Sequence, residues 1–361
     1  MELNTPAAAV PLVDVRDLAV EFSTSGIPLI RPAWSVRAVQ DVSFTIGAGE
    51  TVGMVGESGS GKSTIGRILL GLTAPTRGRV SFDGHAYAAG GRLPRELRSQ
   101  IQAVFQDPGG SLNPVRTVGD AIGEPVRLHQ GLRGAERDRK VAELLELVGL
   151  GGSDAHRYPD EFSGGQQQRI AIARALASRA RLIVCDEPVA ALDVSTQAQV
   201  INLFADIQAE LGVSYLFIGH DLDVVAHISD RLVVLYRGRI VEEGPTERVF
   251  GQPAHPYTRM LLDATPVADA RRQRARRAAR RAAEAAAADS AVTGTDGAAD
   301  DPAATADPGC AFRARCPVAI DICRTVTPPL VPVPDGGAAA CHLVPSGATV
   351  PVLTTTKGTS S

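Results

Sequence analysis

The stretch VGMVGESGSGKSTIGRILLGL, Val52 to Leu72, decides the fold. A strand-like apolar segment runs into a glycine-rich turn, and a helical segment follows it. Gly56-Glu57-Ser58-Gly59-Ser60-Gly61-Lys62-Ser63 fits the spacing G-x-x-x-x-G-K-S/T in the context a phosphate-binding loop requires. Glycines let the backbone curl so that successive N–H groups point at phosphate oxygens, and the helix presents the positive end of its dipole there. Lys62 is expected to reach the β- and γ-phosphates and Ser63 to ligate Mg2+, with Thr64 beside them in the nucleotide set. The plainer alternative is a glycine-rich turn beside a surface lysine. By itself the loop says only nucleoside triphosphate.

The 361 residues, 44% of them hydrophobic, suffice for one large domain with a core plus an appendage. A formal charge of −3 and a pI near 6.2 argue against a general nucleic-acid binder, which needs a strongly basic surface. No apolar run is long enough to span a bilayer, and MELNTPAAAVPLVDVRD lacks the pattern of a secretory signal, so a cytoplasmic, soluble chain is expected.

From about residue 12 to residue 250, short apolar runs such as ETVGMVG, RLIVCDE, VSYLFIGHD and DRLVVLYRGRIVEEG alternate with helical patterns. That alternation predicts an α/β domain around a buried, largely parallel sheet. Between about 107 and 177 the pattern turns helical, which predicts an insertion. After residue 266 the composition shifts to VADARRQRARRAARRAAEAAAADS and then to small, acidic residues, read as an exposed helix and linker over 267–309. The run from Arg271 to Arg281 suits either a solvated helix or an anionic lipid surface, the former being favoured. Residues 310–361 read as a small, loop-rich module holding four of the five cysteines.

RLIVCDEPVAALD supplies the loop's complement: an apolar strand ending in Asp186, suited to hold Mg2+, with Glu187 next to it, suited to orient or deprotonate an attacking water. FSGGQQQRIAIARAL, from Phe162 to Leu176, resembles the signature of ATP-binding cassette (ABC) ATPases, whose usual first residue is Leu. VFQDP around Gln106, AALD ending at Asp193 and IGHD around His220 complete the family's motifs in order. The resemblance covers residues 12–266. It implies a RecA-like P-loop NTPase fold with an antiparallel β subdomain and a helical signature subdomain.

The same resemblance implies residue roles. Ser163, Gly164, Gly165 and Gln166 would form a second anion site serving the ATP of a facing cassette, and Asp193 would lie in the loop that communicates between the two. Gln106 would contact Mg2+ and water, joining Ser63 and Asp186, and would couple the site to a membrane partner. His220 would fix the γ-phosphate and Glu187. Trp34 is the candidate for stacking on adenine, a surface tryptophan being the alternative. Ala190, Gly219 and Cys185 depart from residues common in relatives, and none removes a catalytic side chain.

VRAVQDVSFTI, FQDPGGSLNP, IGEPVRLH, RYPDEFSGGQ and HPYTRMLLDATP are similar to the F-type ATPase subunit of oligopeptide/dipeptide permeases. This implies a peripheral subunit on the inner face of the cell membrane. Its partners would be a homologous second ATPase, as a heterodimer, two permease subunits and an extracytoplasmic solute-binding protein. Relatives also carry nickel, glutathione or sugar-like solutes, and non-transport cassette proteins are the competing class. Cys310, Cys316, Cys323 and Cys341 offer four soft ligands that suit zinc or an iron–sulfur cluster. The resemblance of GCAFRARCPVAIDICRTVTPPL and ACHL to the permease ATPase tail favours a 4Fe–4S cluster, with zinc second.

Overall fold

In a computed structural model that describes residues 10–24, 34–87, 93–264 and 308–344, the chain forms two sheets. Strands β1 (Val13–Thr24), β2 (Trp34–Ile46), β4 (Arg77–Phe82) and β5 (His85–Tyr87) form an antiparallel sheet in the order β2-β1-β4-β5. The larger sheet takes in β3 (Thr51–Val55), β6 (Ile101–Phe105), β7 (Leu182–Asp186), β8 (Ser214–Gly219), β9 (Arg231–Tyr236), β10 (Arg239–Pro245), β11 (Val331–Pro332) and β12 (Ala338–Ala339). Their order is β11-β12-β10-β9-β3-β8-β7-β6. β9, β3, β8, β7 and β6 pair in parallel, and the remaining strands antiparallel.

Strands buried on both faces read as continuous apolar runs, and β3 and β8 are buried at every position. Alternate side chains then feed two cores. Leu182, Val184, Leu216, Ile218, Val233 and Leu235 join the core under the antiparallel sheet, together with helix α1 (Lys62–Leu69). Ile183, Cys185, Tyr215, Phe217, Val234 and Tyr236 face the other way.

That second core packs the helices between β6 and β7, which are α2 (Pro108–Ser111), α3 (Val118–Pro125), α4 (Gly134–Leu147) and α5 (Gly164–Leu176). It is continued by α6 (Val194–Leu211) and α7 (Leu222–Ile228). Phe162 fills this core with the Arg157 guanidinium 4.1 Å above its ring. Beyond α8 (Thr246–Gly251) and α9 (Pro256–Ala264), the expected helix and linker over 267–309, with Arg271–Arg281, lie outside the described residues except 308 and 309.

The cysteine module, which carries the short helix α10 (Ile322–Thr325), does not stand apart. β12 pairs with β10, and Phe312, Cys310 and Cys323 enter the second core.

Close packing at the central strand is testable at Gly53. A Cβ there would meet Ser229 Oγ at 2.4 Å and Val225 Cγ1 at 2.5 Å. Gly53→Ala should lower unfolding stability by about 1–3 kcal/mol, the usual range for overpacking a tight core, as measured by chemical denaturation.

Candidate nucleotide site

The nucleotide motifs gather at the carboxyl ends of parallel strands, where open α/β sheets bind ligands. The loop after β3 needs its glycines. Gly56 has φ +152° and Gly61 +104°, and a Cβ would meet Leu235 O at 2.2 Å and Ala38 O at 2.4 Å respectively. Ser58 and Gly59 form the exposed tip, and Gly61 precedes α1, which begins at Lys62 and carries Ser63 and Thr64 in its first turn.

Lys62 is only 4% exposed. Its ammonium donates to Gly56 O at 2.7 Å, Glu57 O at 2.9 Å and Ser60 Oγ at 3.4 Å. Burial lowers its pKa, opposed by the charges of Glu187, Asp186 and Glu57.

Ser63 Oγ donates to Asp186 Oδ1 at 2.9 Å. Burial raises the Asp186 pKa, and that hydrogen bond opposes it. Ser63, Asp186, Glu187 and exposed Gln106 line one open cavity of about 700 Å³, together with Arg67 and Arg174. Hard oxygen donors converging in this way suit Mg2+.

Glu187 follows β7 with a positive φ of 50°, a conformation costly for a residue with a side chain. Its N–H donates to Ile218 O at 2.9 Å, tying the turn to β8, and its Oε1 lies 3.4 Å from His220 Nδ1.

Ser163 caps α5: its Oγ accepts from Gln166 N at 3.4 Å, and Gln166 Oε1 accepts from Ser163 N at 3.0 Å. Ser163, Gly164 and Gln166 are exposed, while a Cβ on buried Gly165 would meet Thr196 Cγ2 at 2.3 Å. None of the four lines the cavity beside Ser63 and Asp186. Asp193 caps α6, and donation from Ser195 and Thr196 holds its carboxyl well below the usual range. Trp34 opens β2, opposite Thr24, but its side chain lies outside the described residues.

Comparison with known proteins identifies the family. The family described as ABC transporter matches residues 39–190, and that described as Oligopeptide/dipeptide transporter, C-terminal region, matches 241–323. A Sinorhizobium fredii protein named "Probable peptide ABC transporter ATP-binding protein y4tS" is 48% identical over 90% of this chain and 89% of its own length. The chain belongs to the ABC transporter ATP-binding proteins. A Salmonella choleraesuis protein named Glutathione import ATP-binding protein GsiA is 49% identical over 77% of this ABC protein and 45% of its own length. Among solved structures, a post-hydrolysis dimer of the ATP-binding cassette MJ0796 with ADP and Pi is similar at a TM-score of 0.56 and 29% identity, covering 65% of this chain and 98% of that one.

The cassette's four tail cysteines lie near enough to influence one another electrostatically, and burial raises the pKa of Cys310, Cys316 and Cys341. All are free thiols. Among the described residues, however, no three His, Cys, Asp or Glu side chains are gathered as a metal would need. The arrangement therefore does not support the 4Fe–4S expectation or its zinc alternative.

Two residues that touch the phosphate loop escaped the sequence reading. Buried Tyr257 accepts a hydrogen bond from Glu57 N at 2.9 Å, and Arg315 of the cysteine module grips the Glu57 carboxylate. The HPYT motif of the tail, matched above only as a family likeness, holds the first of them in place. His255 Nδ1 accepts from Tyr257 N at 3.0 Å, and Glu242 accepts from Ala254 N and His255 N and pairs with Arg248.

Burial pushes His255 down to about 4. The unfolded chain, with an ordinary histidine, binds the extra proton first as the pH falls, so stability contributed above about 6.5 is lost progressively toward 4. Urea denaturation across that window should show a falling midpoint, with a shallower slope in His255→Gln.

Proposed function

We infer that this chain binds and hydrolyses ATP to power a multi-subunit importer of oligopeptides or dipeptides. One observation carries the reading: at the ends of β3, β7 and β8, a buried lysine bonded to loop oxygens, a Ser63–Asp186 oxygen pair and Glu187 beside His220 come together. The relatives named for peptide and glutathione transport support the solute class, since glutathione is itself a peptide. Nickel or a sugar-like solute is the alternative, because a cassette holds no pocket for the transported molecule.

In this reading the N–H groups from Gly56 to Ser63, with Thr64, cradle the phosphates, and Lys62 exchanges its carbonyl partners for β/γ-phosphate oxygens. Ser63, Asp186 and Gln106 would hold Mg2+, whose charge would offset that of the phosphates. Glu187 takes the proton of the attacking water, and His220 holds Glu187 and the γ-phosphate in register. Stacking of Trp34 on adenine completes the pocket.

Ser163, Gly164, Gly165 and Gln166 serve the ATP of a facing cassette, consistent with their place away from this chain's own cavity, and Asp193 relays between the two. The facing cassette is a homologous second ATPase. Two permease subunits and an extracytoplasmic solute-binding protein complete the transporter, with this chain peripheral at the inner membrane face. No helix among the described residues is long and apolar enough to cross a membrane. The domain division proposed is 12–266, with its helical part at 107–177, then 267–309 and 310–361.

A 4Fe–4S cluster or zinc on the four cysteines rests on their spacing and on the resemblance alone, and no step above passes through it. Anaerobic purification decides: about four irons and four sulfides per chain for the cluster, zinc alone for the alternative.

With its partners reconstituted in liposomes, Glu187→Gln should lower ATP turnover about 100-fold or more, the usual contribution of a general base, while ATP affinity is retained. Full turnover in that variant would contradict the role of Glu187.

A further inference from the structure

Glu57 is the first variable residue of the phosphate loop, and all its polar groups are bound to something different. Its N–H donates to Tyr257 of α9, its carbonyl accepts from Lys62, and its carboxylate takes two hydrogen bonds of 2.8 Å from Nη1 and Nη2 of Arg315. A bidentate fork of this kind fixes orientation as well as charge. Arg315 lies 258 residues away, in the short helical turn Arg313–Arg315 that links Cys310 to Cys316.

Its guanidinium also lies 5.9 Å from the ring centroids of Tyr236 and Phe312, and Nη2 reaches Met260 Sδ at 3.6 Å. Phe312 and Tyr236 in turn pack on Tyr257. Helix α9 and the cysteine module thus meet at one residue of the phosphate loop, with Tyr236 of β9 packed against both.

We propose that Arg315 is a positioning residue for nucleotide binding, through which the cysteine module sets the affinity of the phosphate loop for ATP. The physical reason is electrostatic. Glu57 carries a carboxylate into a loop whose task is to bind a polyanion, near enough for its charge to act on Lys62. Arg315 neutralises that carboxylate, holding its pKa low. Without Arg315 the loop keeps an unpaired negative charge beside its ligand, and the loop's entrance loses one of its two anchors outside the motif.

The inference rests on the ATP-binding reading of the loop, and the experiment separates the two. Binding of a fluorescent ATP analogue with Mg2+ is titrated against the full chain, against Lys62→Ala, Arg315→Ala and Arg315→Lys, and against Arg315→Ala combined with Glu57→Gln. One like-charge interaction at a partly solvated site weakens affinity by roughly five-fold in Arg315→Ala, less at high salt. Arg315→Lys restores most of the affinity by returning the charge. Adding Glu57→Gln to Arg315→Ala lowers Kd again, because the repelling carboxylate is gone.

A merely structural role would give neither rescue. Equal affinity in Arg315→Ala and the unaltered chain, or a double variant no tighter than Arg315→Ala, overturns the inference while ATP binding stands. Binding unaffected by Lys62→Ala overturns the reading of the loop itself, and this inference with it. Arg315 and Glu57 side chains are 43% and 42% exposed, so the substitutions leave the core intact, and thermal unfolding of each variant checks this.

Discussion

The site depends on a buried ammonium. Lys62 sits inside a curl of backbone that only glycines permit, and its charge is met by carbonyl and hydroxyl oxygens, with Asp186, Glu187 and Glu57 acting at longer range. Such a cation is paired with dipoles that a phosphate can replace, so the arrangement is stable yet poised for an anion. The constraint on Gly56 and Gly61 follows, because a side chain at either would strike the backbone that walls the curl.

The sheet extends that constraint through the molecule. Parallel strands β3, β7 and β8 end level with one another, so the phosphate loop, Asp186 with Glu187, and His220 follow the same end of the sheet. One face of the sheet is held by α1 and the antiparallel strands, the other by the signature helix and the cysteine module. Side chains of α5 and of the module therefore pack in the same core as those of β7, β8 and β9.

Much of this was legible in the sequence because its chemistry is local. The phosphate loop is eight consecutive residues, Asp186 and Glu187 end one strand, and Ser163 to Gln166 form a capping box at a helix start. The buried parallel strands announced themselves as unbroken apolar runs. What escaped is long-range: no periodicity joins Glu57 to Tyr257 or to Arg315, 200 and 258 residues away. The cysteine spacing was equally silent on the pairing of β12 with β10, which makes the tail an extension of the main sheet. Four cysteines near one another also read as a metal site, whereas the folded thiols are not gathered as one.

In the proposed mechanism, ATP is enclosed by Gly56 to Ser63 of this chain and by the signature of a facing cassette, with Ser163 to Gln166 closing the partner's site. The most direct measurement is the structure of the transporter assembled with its second ATPase, carrying Glu187→Gln and trapped with MgATP. The mechanism predicts the nucleotide at this chain's phosphate loop with its γ-phosphate against the facing signature, and Lys62 moved from the loop carbonyls onto phosphate. A nucleotide bound wholly within one chain, with Ser163 facing solvent and Lys62 still on Gly56 O, would contradict it.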